Sequence, residues 1–555
     1  MPIGEKETQF HLQRLATLKS DRTHWDSQWD EAAARIIPAH KNTFLSQGID
    51  QQYNLGGRKK TEDLFDATAA LACQRFASVI ESLSTPQSGM WHRLVPIDKT
   101  LKKNRAVREW FDNVTDLLFS YRYRPVANFV GNSQQVYQSL GAYGNGSVFI
   151  DAPENTPGLR YRNVHLGETY FVENHAGVVD TVYRVLFLDA RQAVQKFGKA
   201  CPERIAKMAE NPNTMQQKHE FLHCVYPRED RDLRSAAAQD MPFASLYFSV
   251  SDKKSISEGG FRTFPFAISR YTQSSGEVYG RGPAQWVLPS IKLLNEQKKA
   301  MIKQAHRQVD PVLLAFDDGV LDHFSLRAGA INKGGVSAEG RPLVQPLPVG
   351  NIVVAEKAME VEQRVINDAF LITLFQILVD APQMSATEVL ERAREKGMLV
   401  APTAGRQQAE FLGPLIEREI DLLIAQNLLP PIPPVLLEAG GAYKVEYDSP
   451  MSRMQRAEKA AGFFRALGVA ADYARQTGDP SPLDFFDFDV AMPEILDIHG
   501  APVAWTRAIE DVQAIREQRE EQAQQAAMLQ NAGGMAQVAK ALPEVQKMAK
   551  EGRSF

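Results

Sequence analysis

The chain is poor in cysteine. Its 555 residues hold three, Cys73, Cys201 and Cys224, with no CxxC pair and an odd count. That excludes a disulfide framework and indicates a reducing compartment. Long apolar runs are also missing: none approaches the ~20 residues that a membrane-spanning helix needs. The opening stretch MPIGEKETQF has no apolar centre of the kind a signal peptide carries. No sign of charge dominates, since 63 Lys and Arg stand against 67 Asp and Glu for a net −4. Such a balance excludes tight nucleic-acid binding through bulk charge, so any DNA contact must be local. Apolar content, at 44%, suffices for a sizeable core. The length alone suggests roughly three to four domains.

Motifs for nucleotide chemistry are absent as well. No GxxxxGK[ST] occurs, and Gly56-Gly57-Arg58-Lys59-Lys60-Thr61 has the wrong spacing. Gly141-Ala-Tyr-Gly144-Asn-Gly146 follows a helix and opens a strand, the reverse of a dinucleotide fingerprint, and reads as a turn. No GxSxG elbow is present. One catalytic pattern does appear: His219-Glu220-Phe221-Leu222-His223 is a literal HExxH. On a helix its histidines would share a zinc ion, with Glu220 as general base. Its surroundings, FLHCVYP between Pro212 and Pro227, have strand character instead. Residues four apart on a strand are roughly 13 Å apart, too far to share a metal. No metal, cofactor or catalytic residue is therefore expected, and a zinc metallohydrolase remains only as the alternative.

What is present reads as an α+β chain, mainly α. Leu12, Leu15, Leu18, Trp25, Trp29, Ala32 and Ile36 recur at helical period up to Pro38. A second helix follows Thr61, with Leu64, Leu71, Phe76, Val79 and Leu83 inward, and two more fit near 104–121 and 125–141. Then SVFIDA, LRYRNV, ETYFVEN, VVDTVYRVLFL, FLHCVYP, ASLYFSV and RTFPFAISRY predict a mostly antiparallel sheet, with a short helix near 190–198. Ser385 to Glu388 has capping-box spacing ahead of a helix over 386–396. A longer helix is expected over 406–427. The prolines of LPPIPPVLL argue for a non-helical strap. A strand AYKVEYDSP and a helix over 452–476 follow. The segment 503–530 is a polar helix that needs partners or stays partly disordered, and the tail beyond Asn531 should be mobile.

Residues 279–376 are the most informative. Two helices flank an irregular insert from Val309 to Gly350. Lys292, Lys299 and Lys303 fall on one side of the first helix, with Lys298 and Arg307 nearby and Glu296 opposing. A projecting hairpin of this kind suits a structural part better than a catalytic pocket. The cations form either a solvated helix face or, repeated around an axis, a ring that would meet phosphate oxygens as point charges without reading bases.

Several segments in order resemble the portal, or head-to-tail connector, family of short-tailed bacteriophages. They are SLSTPQSGMWHRLVP (82–96), LGAYGNGSVFID (140–151), HCVYPRED (223–230), VYGRGPAQWVLPSIKLLNE (278–296), MSATEVLERAREK (384–396) and LGPLIERE (412–419). The resemblance spans about residues 5–500. It implies a portal fold assembled as a ring, usually of twelve copies. Residues 1–283 and 386–502 would form the wing, 284–308 and 351–376 the stem helices, and 309–350 the clip. Residues 377–385 would form a tunnel loop, with Val379, Asp380, Ala381, Pro382, Gln383 and Met384 against DNA, and 503–555 a crown and tail. Lys292, Lys298, Lys299, Lys303 and Arg307 become DNA-channel candidates. The implied partners are further copies of the chain, double-stranded DNA, terminase, tail adaptors, and major capsid and scaffolding proteins, with no membrane. The implied location is the capsid portal vertex, after assembly in the host cytoplasm. A tail adaptor or other virion protein is the second alternative.

Overall fold

A computed structural model describes residues 4–45, 59–87, 89–98, 100–154, 156–232, 234–235, 237–315, 324–348, 352–373, 402–447, 450–498, 507 and 511–525. The expected capping box at Ser385, the helix over 386–396 and the tail beyond Asn531 lie outside them. The chain divides into two compact units. One is Met1–Trp91 with Leu117–Leu429, and the other is His92–Asp116 with Pro430–Phe555. None of the described helices is long and apolar enough to cross a membrane.

The larger unit opens with α1 (Glu5–Asp21) and α2 (Thr23–Ile36). The single run expected from periodicity breaks at Arg22. Its buried guanidinium leaves the helix surface to donate to the carbonyls of Leu166 (3.0 Å) and Thr169 (2.5 Å). It also stacks 3.7 Å over the Tyr170 ring. Next comes α3 (Thr68–Ser84), which starts seven residues after Thr61 and turns a face of Ala69, Ala72, Cys73, Phe76, Ala77 and Ile80 inward. Leu71, expected inside, is 51% exposed. Small residues let α3 lie close to its neighbour, so the alanines define its buried face.

Strand β1 (His92–Pro96) belongs to the smaller unit, and the boundary between units falls within α4 (Arg105–Arg122). Then follow α5 (Phe129–Tyr143) and the strands β2 (Asn145–Asp151), β3 (Arg160–Asn163), β4 (Thr169–Glu173) and β5 (Val179–Asp189). Helices α6 (Ala190–Phe197) and α7 (Glu203–Ala209) precede β6 (Lys218–Pro227), β7 (Phe243–Ser249), β8 (Lys254–Phe261) and β9 (Phe266–Arg270). All ladders are antiparallel. One sheet runs β3-β2-β9 and the other β4-β5-β6-β7-β8. The larger sheet is covered on both faces, because its strands alternate apolar side chains to each side. Leu15 of α1 packs on Tyr170, Tyr183, Leu222, Cys224, Leu246 and Phe248. Ala190, Ala193 and Ile205 of α6 and α7 cover Leu186, Phe221 and Ile256 on the opposite side. Asp189 caps α6 by accepting from Gln192 N at 2.7 Å, and Gln192 returns the bond in a capping box.

The unit closes with α8 (Pro283–Val309), a short ribbon of β10 (Leu313–Ala315) with β11 (Val344–Pro346), and α9 (Ile352–Ala369). Beyond residue 401, helix 402–407 widens into a π turn at Gln408–Leu412 before α10 (Gly413–Ala425). A buried ion pair ties α10 to α4. Arg122 Nε donates to Glu419 Oε1 at 3.0 Å, both side chains are fully buried, and Tyr161 donates its hydroxyl to the same carboxylate.

In the smaller unit α11 (Pro434–Glu438) corrects the expected non-helical strap. Pro434 stands at the first helical position, where its missing N–H has no partner to lose. Only the prolines before it are extended. Strand β12 (Tyr443–Tyr447) pairs with β1. Burial acts first on Glu446 and would raise its pKa. Bonds from Lys444 and Lys102, with Arg93 nearby, outweigh it and bring the carboxyl down to about 2. Two helices follow, α12 (Pro450–Thr477) and α13 (Phe488–Ile498), with Phe463 meeting Phe486 edge-on at 5.5 Å. Residues 511–525 are helical, as the polar segment suggested.

Candidate functional site: a helical hairpin

The root of the hairpin is a crossing of bare backbone. Gly144 ends α5 with φ 76°, a conformation glycine adopts without strain. Gly280 and Gly282 lie directly against it. A Cβ on Gly282 would stand 2.6 Å from Leu140 O, and one on Gly280 would stand 2.8 Å from Gly144 O. Asn145 locks the crossing, donating to Gly280 O at 2.9 Å and accepting from Gly280 N at 2.7 Å. Pro283 then starts α8, and Gln285 accepts from Gly282 N at 2.6 Å. The turn expected at 141–146 is therefore the socket of the hairpin.

Helix α8 buries Val287, Ile291, Leu294 and Asn295, while α9 buries Met359 and Ile366. Asn295 is a buried polar clasp. Its Oδ1 accepts from Phe65 N at 2.8 Å, and its Nδ2 donates to Asp63 O at 2.9 Å. The outer face of α8 leaves Trp286 54% and Leu293 48% exposed. At the far end, Leu326 and Ile331 of the insert are 75% and 88% exposed.

The five cations of α8 differ in surroundings. Lys292 pairs with Glu31 of α2 at 2.6 Å. Lys299 lies 5.3 Å over the Phe65 ring. Lys298 is half-buried, turned toward the side that carries Ile291 and Leu294. Lys303 and Arg307 are exposed on the distal half, and neither has an ion-pair partner among the described residues. The structure thus keeps the cations on one helix without giving them one environment. Glu31, far away in sequence, is the partner that residue spacing on α8 alone could not reveal. The loop candidates Val379, Asp380, Ala381, Pro382, Gln383 and Met384 lie outside the described residues.

The HExxH residues are on β6, in the strand expected from the sequence. His223 donates to or accepts from Ser245 Oγ at 3.0 Å and stacks on Tyr247 at 4.1 Å. Burial, then Lys196 and Arg184, hold its imidazole well below the usual range, so it is neutral. Glu220 points to the other face and pairs with Lys19 at 3.2 Å. Among the described residues no group of three or more His, Cys, Asp or Glu is placed to hold a metal.

The chain matches the family described as bacteriophage head to tail connecting protein over residues 9–505. It is similar to the portal protein of Salmonella phage epsilon15, with 26% identity over 551 residues, 98% of this chain and 97% of that one. It is also similar to the probable portal protein of Bordetella phage BPP-1, with 27% identity over 536 residues, 95% and 94% of the two chains. Among solved structures, a chain from the neck of an empty gene transfer agent particle with C6 symmetry aligns with TM-score 0.36 and 14% identity, covering 74% of this chain and 92% of that one. The family match takes in both units and the whole hairpin, and with it the chain belongs to the bacteriophage head-to-tail connecting proteins.

Proposed function

We propose that the chain is a portal protein. Copies assemble as a ring at one capsid vertex, and double-stranded DNA enters and leaves through its centre. The observation that carries this reading is the family match across residues 9–505, reinforced by portal relatives aligned over nearly their full length. Its role is structural rather than enzymatic. Helices α8 and α9 serve as the stem, residues 309–350 as the clip, residues 377–385 as the tunnel loop and 503–555 as the crown, with the wing around them.

The exposed apolar side chains support assembly. Val309, Leu326 and Ile331 are 86%, 75% and 88% exposed in a single chain, and Phe485 in the smaller unit is 90% exposed. Burying side chains of that exposure against a neighbouring copy would be favourable. A heterologous contact repeated head to tail closes into a ring. Twelve copies at −4 each would sum to about −48, which repels phosphate broadly, so that unpaired stem cations such as Lys303 and Arg307 guide the duplex without trapping it. Terminase, tail adaptors, major capsid protein and scaffolding protein are the partners such a ring requires.

Particle images of the purified full-length protein test the reading. A ring with a central hole, with a mass of about 740 kDa for twelve copies of 61.9 kDa, is the expected result. A protein that stays monomeric at every concentration and salt, including with scaffolding protein present, would overturn it. Binding only to a preformed ring from another source would favour a tail adaptor instead.

A further inference from the structure

A second cationic cluster lies away from the hairpin, beside the larger sheet. Arg184 on β5, His223 on β6 and Tyr247 on β7 are cross-strand partners, so their side chains share one face of the sheet. Lys196, in the last turn of α6, places its ammonium 4.5 Å over the Tyr247 ring and 3.3 Å from its hydroxyl. Phe149 of β2 meets His223 edge-on at 6.0 Å, and Arg162 of β3 is the register partner of Phe149. The two sheets therefore bring Arg162, Arg184 and Lys196 to one seam.

The acids nearby do not balance them. Asp151 accepts from Nε and Nη2 of Arg160, at 2.7 and 2.6 Å. Glu168 reaches only Nη2 of Arg184, at 3.4 Å. Arg184 is 7% exposed, and its Nε is buried without an acceptor among the described residues. Leaving a buried donor without an acceptor is unfavourable, so the site favours a ligand oxygen. Arg162 and Lys196 have no carboxylate partner among the described residues. Burial, and after it Arg184 and Arg162, draw Lys196 down to about 8. Three cations less one carboxylate leave a local charge of +2 on a wall of aromatic rings.

We propose that Arg162, Arg184 and Lys196 form a binding site for a phosphate group. A phosphate dianion matches the local charge. Its oxygens accept from the guanidinium forks and from the ammonium at once, which a carboxylate with two oxygens does less fully. The phosphate comes either from free anion or from a nucleic-acid backbone.

Acetylation of lysines in the full-length protein at pH 8, read by mass spectrometry, tests the site. Lys207 on α7 serves as reference. A bound phosphate keeps the Lys196 ammonium protonated, and one pKa unit of added stabilisation lowers its free-amine fraction at pH 8, and so its acetylation rate, roughly fivefold. Protection by inorganic phosphate in the wild type, lost in Arg162→Ala, is the expected result and identifies the free anion. Protection by a short DNA duplex but not by inorganic phosphate also supports the site and names the backbone as source. Failure of both to protect overturns the proposal. Equal protection by chloride at matched ionic strength, or full protection in Arg162→Ala, overturns it too. Titration calorimetry with inorganic phosphate on the wild type and Lys196→Gln gives a second readout that does not depend on labelling.

Discussion

Glu419→Gln is the most informative perturbation of the larger unit. It keeps the volume and one acceptor for the Tyr161 hydroxyl while removing the charge facing Arg122. That guanidinium is fully buried and packs 4.6 Å over Trp91 and 4.8 Å over Phe119. It cannot turn to water without breaking the aromatic packing. Burial alone would lower its pKa. The Glu419 carboxylate, by charge and hydrogen bond, more than reverses that and raises it. The variant loses that support, but a guanidinium is basic enough to keep its proton inside a protein, so the charge stays and is left unpaired. Leaving one member of a buried pair alone costs about 3–5 kcal/mol. At 1.36 kcal/mol per decade this is roughly 2–4 decades in a local opening equilibrium. Hydrogen exchange of the core amides of α10 and β3 should accelerate by that factor in Glu419→Gln. Amides of the β1–β12 ribbon, in the other unit, should be unchanged. Arg122→Met combined with Glu419→Gln should recover most of the loss, because no charge then remains buried. Less than tenfold acceleration in the single variant, or no recovery in the double, would refute the reasoning.

The remaining expectations concern pH, the glycine socket and the stem. His11 is held down to about 4 by burial, His40 to about 4 by burial and Lys60, and His165 to about 3 by burial, then His40, Arg22 and Lys60. Each folded value lies below the unfolded ~6.5, so the unfolded chain binds more protons between them and stability falls as pH drops from about 6.5 toward 4. His11 alone contributes a loss of about 2 kcal/mol between pH 7 and 5, visible as a lower urea midpoint that His11→Gln partly removes. Gly144→Ala should abolish soluble folded protein, whereas Gly177→Ala, at φ 75° with nothing within 4 Å, should cost about 1 kcal/mol by thermal melting. Reversing Lys298, Lys299 and Lys303 to Glu should leave ring mass unchanged and lower packaged DNA per particle. Unchanged packaging removes the guiding role of these cations but not the portal reading. Lys292→Ala should shift stability by less than about 1 kcal/mol, because its pair with Glu31 is solvent-exposed.

Much of this architecture was readable from local pattern. Alternating β-branched and aromatic residues marked β2 to β7. The strand character of FLHCVYP was enough to set aside the HExxH reading. What escaped was non-local or carried by weak signals. Strand β8, KSISEGGF, is too rich in Ser and Gly to show alternation, and only its pairing with β7 makes it a strand. The break at Arg22 depends on carbonyls near residue 167, and the pairing of Lys292 depends on Glu31. In both cases a partner more than a hundred residues away decides, and helical spacing carries no record of it. Leu71 lies outside because close approach, not hydrophobicity, selects the alanines of α3 as its buried face.

The glycine crossing has a mechanical consequence. Side chains between two helices yield under load by changing rotamer, and so absorb displacement. At Gly144, Gly280 and Gly282 no such padding exists, and main chain rests on main chain under the grip of Asn145. A push on the hairpin therefore passes into α5 and β2 with almost no give at its base. The footing is rigid, and a displacement that reaches the base of the hairpin is delivered directly to the strand that begins at Asn145.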